Sequence, residues 1–224
     1  MTRTRLAIAL AALVLAAGPA FAQESIDKVN GSITAETGTR YRDLETVNGS
    51  IRLEDRAVLE DASTVNGSIK GGDGVQARSL ETVNGGIRLG ERAKVSGGVE
   101  TVNGSIFVDR ASTVGGDLST VNGAIGIVDT DLGGDIETVR GDITVGIGSH
   151  VKGGIHVEKP NGNGWSFGMG KQDPPRIVIG PDAVVDGPLV FEHEVVLYVH
   201  ASARVGKVTG ATAIPFSTPT PPEN

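Results

Sequence analysis

The sequence has no cysteine, few aromatic residues and no long apolar run after its N-terminal one. With no Cys among 224 residues, the chain has no disulfide framework, thiol nucleophile or thiolate metal site. Aromatic residues make up only 4%, so the core cannot rest on large rings and must consist of many small, similar layers. The formal charge of −7 argues against nucleic acid as a partner. Gly is abundant instead, at 33 residues.

The first 22 residues have the pattern of an export signal. Arg3 and Arg5 precede an apolar run over residues 6–17 that is too short to cross a bilayer. Ala20-Phe21-Ala22 has the small-x-small form of a signal-peptidase site. We therefore expect removal of residues 1–22 and a mature protein in the periplasm or the medium. No membrane span is expected in the rest of the chain.

One short motif recurs along most of the chain. Near-copies of Val-Asn-Gly-Ser-Ile begin at Val29, Val47, Val65, Val83, Val102, Val121 and Val139. Within each period of about 18 residues, short stretches rich in Val, Ile and Thr alternate with Asn-Gly or Gly-Gly, which is typical of strands joined by tight corners. The sequence therefore predicts an all-β, single-domain, three-sided parallel β-helix over residues 23–209.

Two further predictions concern the corners between strands and the handedness of the coil. Gly after Asn should supply a positive-φ corner that a β-branched residue would resist. Bulky residues at both ends of the motif favour a right-handed coil over a left-handed one. The left-handed alternative comes from Ile179-Gly-Pro-Asp-Ala183, which has the aliphatic-Gly-x-x-small form of hexapeptide helices.

Polar residues recur with the same period and are predicted to stack. Stacked Asn amides hydrogen-bond along a cross-β axis, so the Asn column is interpreted as a structural ladder. Its members are Asn30, Asn48, Asn66, Asn84, Asn103 and Asn122. The Thr before each motif forms a second column. The alternative is a flat Thr-x-Asn array that matches an ordered lattice, as in ice-binding β-helices.

Residues 158–175 interrupt the repeat with a segment rich in Gly and Pro. Long insertions in compact repeats often carry function, and this one contains the only Trp of the chain. Trp165, Phe167 and Met169 are therefore candidate binding residues, for a sugar ring or a protein. The alternative is that these side chains only cover an apolar flank of the rod. Residues 210–224 are rich in Pro and Thr and are predicted to be a flexible tail.

No residue is assigned a catalytic role from the sequence. Equivalent glutamates in one column resemble a solvated face more than an acid and a base; they are Glu45, Glu81, Glu100 and Glu137. The histidines lack a tight ligand spacing; they are His150, His156, His193 and His200. We therefore expect no enzyme activity, no metal and no cofactor.

The repeats preceded by Glu-Thr or Ser-Thr resemble the adhesin-type β-helix family of exported bacterial proteins, over about residues 29–157. The later pattern resembles the bactofilins, which are polymer-forming β-helix scaffolds; it runs Ile177, Ala183, Leu189, Val195 and Ala201. These resemblances imply a structural or adhesin-like element of the cell envelope that self-associates end to end. An envelope glycan or surface protein would be its partner. The second hypothesis is a carbohydrate-binding or carbohydrate-active β-helix protein that uses the Trp165 loop.

Overall fold

The computed structural model describes residues 24–160 and 173–222. Over these ranges the chain is all-β: 27 strands, numbered β1 to β27 in chain order, form three parallel sheets. The sheets stack as a β-solenoid of about 10 turns with ~18 residues per turn, which confirms the predicted fold class. No helix long and apolar enough to cross a membrane occurs in the described part of the chain.

Sheet A has ten strands. They are β1 (Glu24–Asn30), β3 (Tyr41–Asn48), β5 (Asp61–Asn66), β8 (Ser79–Asn84), β11 (Val99–Asn103), β14 (Leu118–Asn122), β17 (Ile136–Thr138), β20 (Ile155–Val157), β23 (Leu189–Phe191) and β26 (Val208–Thr209).

Sheet B also has ten strands. They are β2 (Ile33–Ala35), β4 (Ile51–Leu53), β6 (Ile69–Gly71), β9 (Ile87–Leu89), β12 (Ile106–Val108), β15 (Ile125–Ile127), β18 (Ile143–Val145), β21 (Arg176–Ile179), β24 (Val196–His200) and β27 (Ala213–Phe216).

Sheet C has seven shorter strands. They are β7 (Gln76–Ala77), β10 (Lys94–Val95), β13 (Ser112–Val114), β16 (Thr130–Leu132), β19 (His150–Val151), β22 (Val184–Val185) and β25 (Arg204–Val205).

The register places equivalent residues of successive coils directly over one another. Ile106 lies between Ile87 and Ile125 in sheet B, and side chains of this kind fill a continuous interior column. The isoleucines that end each motif are all buried: Ile33, Ile51, Ile69, Ile87, Ile106, Ile125 and Ile143. Because each inner strand pairs with the coil on either side, the backbone groups of inner coils are satisfied without a second domain.

The Gly of Asn-Gly has the expected positive φ at two of the described corners, Gly31 at 115° and Gly123 at 153°. Gly49, Gly67, Gly85 and Gly104 do not have it. Instead, a Cβ at Gly67 would overlap the backbone carbonyl of Gly49 in the preceding coil, so these corners need Gly for close approach of the backbone. The recurrent positive-φ position lies between sheets B and C, where non-Gly residues also occupy it, for example Arg56 at 58° and Arg92 at 59°.

The solenoid continues past residue 209, where the tail was predicted to begin. Strand β27 pairs in register with β24, from Leu197 opposite Ala213 to His200 opposite Phe216. Phe216 is buried against Val178 and Tyr198 on the outer face of sheet B. The Pro-rich composition was misleading because Pro is tolerated in an edge strand, which has no further strand to receive an N–H.

Candidate functional site

A groove of about 740 Å³ runs along the outer face of sheet A. It begins at Asp27 and ends at Glu158, and its lining comes from eight successive coils. Every inner coil contributes the same three positions, namely the Glu or Ser, the Thr and the Val of the sequence Glu/Ser-Thr-Val. The groove is therefore a repeated surface that extends along the rod.

The direction of these side chains follows from the two-residue period of a strand. In β11, Val99 and Thr101 are buried, while Glu100 and Val102 face outward. The outward positions stack into two parallel columns because each strand pairs in register with the next. The first, here called the carboxylate column, comprises Asp27, Glu45, Glu81, Glu100 and Glu137, with Ser63 and Ser119 at the same position in two further coils. The valine column comprises Val29, Val47, Val65, Val83, Val102, Val121 and Val139.

The valine column is an apolar stripe exposed to solvent. Relative exposure falls from 68% at Val29 to 38% at Val121, whereas the Ile that ends each motif is almost fully buried. Single exposed apolar residues are ordinary, whereas a continuous exposed stripe beside a groove is not, so this face is the candidate site.

The Thr between the two outward positions of each strand also lines the groove, and its hydroxyl is already engaged. Thr82 Oγ1 donates to the carbonyl of Gly67 at 2.8 Å, and Thr101 Oγ1 donates to that of Gly85 at 2.9 Å. The same bond recurs at Thr46, Thr64 and Thr120. These Thr residues are buried, so they do not present the flat outward array that the ice-binding alternative requires.

The Asn column lies along the edge of sheet A beside the valine column. From Asn48 to Asn122, each Asn Nδ2 donates to the Oδ1 of the Asn one coil before it, at 2.9–3.1 Å. The chain of amides is continuous over six coils. It holds the corners in register and so keeps the groove straight.

The groove carries negative charge. The pKa of Glu137 is raised, first by burial and then by the nearby carboxylates of Asp117, Glu158 and Asp135, while His156 opposes the shift. Crowded acidic groups of this kind disfavour a further negative charge. The one cation in the described lining is Lys28, whose Nζ donates to the carbonyl of Ser32 at 2.8 Å.

The histidines are dispersed among separate partners. His150 Nε2 lies 2.7 Å from Asp186 Oδ2, and His193 Nε2 lies 2.9 Å from the carbonyl of Val139. Within residues 24–160 and 173–222, no three His, Cys, Asp or Glu side chains come together as a metal site.

Beyond the far end of the groove, Glu192 accepts one hydrogen bond and lies near the His156 ring. The backbone N–H of Lys159 donates to Glu192 Oε2 at 3.0 Å, and His156 Nε2 lies 3.4 Å from Glu192 Oε1. Both contacts lower the pKa of Glu192, and the hydrogen bond from the backbone of Lys159 has the larger effect. Glu192 thus anchors the chain where the insertion begins. The predicted binding residues Trp165, Phe167 and Met169 lie outside the described residues, as do residues 1–22.

The sequence interpretation missed the exposed valines as a surface. The available signal was the alternation of side chains along a strand: in Leu80-Glu81-Thr82-Val83, Leu and Thr lie on one face, and Glu and Val lie on the other. Counting from the buried Leu would have placed the first residue of the motif outside.

Comparisons of the chain with protein-family models, with curated proteins and with solved structures give no match.

Proposed function

We propose that this protein is a non-catalytic, exported β-solenoid that acts as a structural or adhesin-like element of a bacterial cell envelope, with the groove as its binding surface. One observation carries the proposal: the same outward pair of an Asp, Glu or Ser and a Val is repeated over seven coils. A surface of equivalent positions suits an elongated partner that makes many weak contacts.

The same repetition argues against catalysis. An acid and a base in one site need environments that push their pKa values apart. Glu45, Glu81 and Glu100 occupy equivalent positions in one column, and such equivalence does not separate an acid from a base. The pattern of residues 1–22 supports export.

Fractionation of the producing cell tests the location. We expect the protein in the periplasm, the medium or the envelope fraction, with an intact mass that lacks residues 1–22. Retention in the cytoplasm with Met1 present would contradict the proposal.

Binding to washed envelope material tests the role of the groove. The double variant Glu81→Lys/Glu100→Lys reverses two charges of the groove, and Asp131→Lys on the exposed face of sheet C is the matched control. We expect only the groove variant to lose retention. A parallel activity screen on acidic polysaccharides should show no cleavage. Cleavage, or glycan-array binding that is lost in Trp165→Ala, would favour the carbohydrate-directed alternative.

The proposed self-association uses the N-terminal end. Strand β1 pairs with β3 on one side, and none of the strands in the described ranges pairs with its other side. An open strand edge is a template for another chain. At the other end of the rod, Pro215 in β27 lacks an N–H, and Arg176 Nη2 donates to the carbonyl of Pro222 at 2.8 Å, so the chain folds back over sheet B.

Sedimentation at increasing concentration tests this arrangement. A chain that ends at Gly210 loses β27 and exposes β24 as a new edge, so it should associate more strongly than the full mature chain. Equal, monomeric behaviour of both chains at high salt would rule out association through the ends.

A further inference from the structure

We propose that the groove binds an extended segment of a cationic polypeptide in which basic and apolar residues alternate. The proposal rests on the binding function proposed above and specifies the chemistry of the partner. It follows from the width of the groove, from its two unlike columns and from the spacing of its carboxylates.

The width of the groove selects an extended chain. The eight coils that line the groove are separated by seven steps of about 4.8 Å, which gives a length of about 34 Å. The two columns stand two residues apart on each strand, for example at Glu100 and Val102, which separates them by about 7 Å. An α-helix about 10 Å across is wider than this and would rest above the groove. An extended chain can enter it with one edge.

A second copy of this protein cannot use the same surface. The groove is concave and lined by carboxylates, so two grooves brought together would leave a gap and place like charges opposite each other. Like-charge contacts across an interface are unfavourable. The partner must therefore be narrow and positively charged.

The two columns require a segment with two different sides. Glu100 and Val102 project from the same face of β11 two residues apart, and this offset separates the carboxylate column from the valine column along the whole groove. Alternate side chains of an extended peptide point to opposite sides. Basic residues on one side can then reach the carboxylates while apolar residues on the other side cover the valines.

The spacing of the carboxylates agrees with this assignment. Five carboxylates, from Asp27 to Glu137 with Ser63 and Ser119 between them, span six coil-to-coil steps. Their separations along the rod alternate between about 5 Å and about 10 Å, with a mean of about 7 Å. Residues on one side of an extended peptide recur every 6.6–6.8 Å, or about 7 Å. Successive basic side chains therefore fall within about 2 Å of successive carboxylates along the rod, an offset that a flexible Lys side chain can span.

A neutral glycan fits this surface less well. Sugar rings are commonly held by stacking on aromatic faces, and the described lining of the groove contains no aromatic side chain. Its main polar groups are carboxylates, since the Thr hydroxyls are bonded to backbone carbonyls. The groove therefore favours a cationic peptide over a glycan.

The test uses the full mature protein and a fluorescent decapeptide, (Lys-Val)5, whose extended length matches the groove. The comparison peptide has five Lys followed by five Val, so composition and charge are equal and only the alternation is lost. Anisotropy titrations should show the alternating peptide binding about tenfold more tightly. Added salt should weaken that binding because the ion pairs are exposed to solvent.

Two groove variants separate charge from apolar contact. Glu81→Gln/Glu100→Gln and Val83→Ser/Val102→Ser should each weaken binding of (Lys-Val)5 by about fivefold or more. Asp131→Asn on sheet C is the control and should leave the affinity unchanged. All variants alter exposed positions, and an unchanged melting temperature verifies their fold.

Three outcomes would overturn the inference. They are equal affinity for the two peptides, an equal loss in Asp131→Asn, and preferential binding of a neutral oligosaccharide that Glu81→Gln/Glu100→Gln leaves intact. If envelope material is still retained through the groove while (Lys-Val)5 does not bind, the partner chemistry is wrong but the proposed function stands. Binding of (Lys-Val)5 without retention of envelope material would support the inference and contradict the function.

Discussion

The coils of residues 29–157, here called the ladder region, and those of residues 176–222, here called the cap region, share one backbone plan but pack their side chains differently. The ladder region repeats Ile, Thr and Asn in register. The cap region has neither the Thr nor the Asn ladder, and its outer face is covered: Tyr198 and Phe216 are 6% and 7% exposed. The His200 ring meets Phe216 edge-on at 5.0 Å.

This difference shows that parallel coils need apolar interiors and paired backbones, but not identical residues. Identical residues stabilise coils that have a like neighbour on both sides, because the equivalent side chains of successive coils can adopt the same rotamer and make the same hydrogen bond. The last coil has no neighbour above it. Large, unlike side chains cover it instead, and the Arg176 guanidinium lies 5.0 Å from the centre of the Tyr198 ring.

The largest expected effect is on the interior of the ladder region. Ile106→Asp places an unpaired charge among isoleucines that are almost fully buried, and we expect a loss of about 4 kcal/mol or more. Urea unfolding followed by circular dichroism measures this change. Thr144→Asp is the control, because Thr144 faces outward in the same sheet; it should cost less than about 1 kcal/mol. Equal losses would remove Ile106 from the core.

The next effect tests the cap region. Phe216→Ala should destabilise the last coils by about 3 kcal/mol, because a buried ring is lost from the cluster with Val178 and Tyr198. Hydrogen exchange in β24 and β27 is the measurement, since a solenoid can open locally at its end.

Ile214 provides the matched control, because it lies in the same strand and is 43% exposed. Ile214→Ala should change exchange in β24 little. Faster exchange throughout the ladder region in Phe216→Ala would show that the two regions unfold as one unit.

A smaller effect is expected in the Thr column. Thr101→Val keeps the shape but removes the hydroxyl that donates to the carbonyl of Gly85, at a cost of about 1–2 kcal/mol. Thr113→Val, at an exposed position of β13, should be neutral within about 0.5 kcal/mol. Chemical denaturation of both variants gives the comparison. A neutral Thr101→Val would mean that water replaces the hydroxyl.

The smallest effect concerns the exposed Asn column. Asn84→Ala loses two amide bonds, to Asn66 and from Asn103, and should cost about 1 kcal/mol. Asn30→Ala at the start of the column loses one, from Asn48, and should cost about half as much. The difference in melting temperature between the two variants is the measurement. No difference would indicate that the number of amide bonds lost does not determine the loss of stability.

Much of the ladder region could be predicted from residue spacing, because the period of about 18 residues has one simple explanation in stacked coils. The buried isoleucines followed from it, since identical positions in successive coils share one environment. The candidate groove did not follow. Its valines belong to the most apolar part of the motif, and apolar content alone does not tell which side of a strand a residue occupies.

The sequence by itself determined the period, the parallel stacking and the residues that lie over one another, because these depend only on the distance between repeats. Tertiary structure decided which face the first valine occupies, why Gly follows Asn and where the solenoid ends. Each of these depends on contact with another coil. Pairing in register decides which side chains of a strand point inward, and the carbonyl of Gly49 leaves no room for a Cβ at Gly67. Pairing with β24 orders the Pro-containing strand β27. Such contacts join residues that are distant in the chain, and no local pattern contains them.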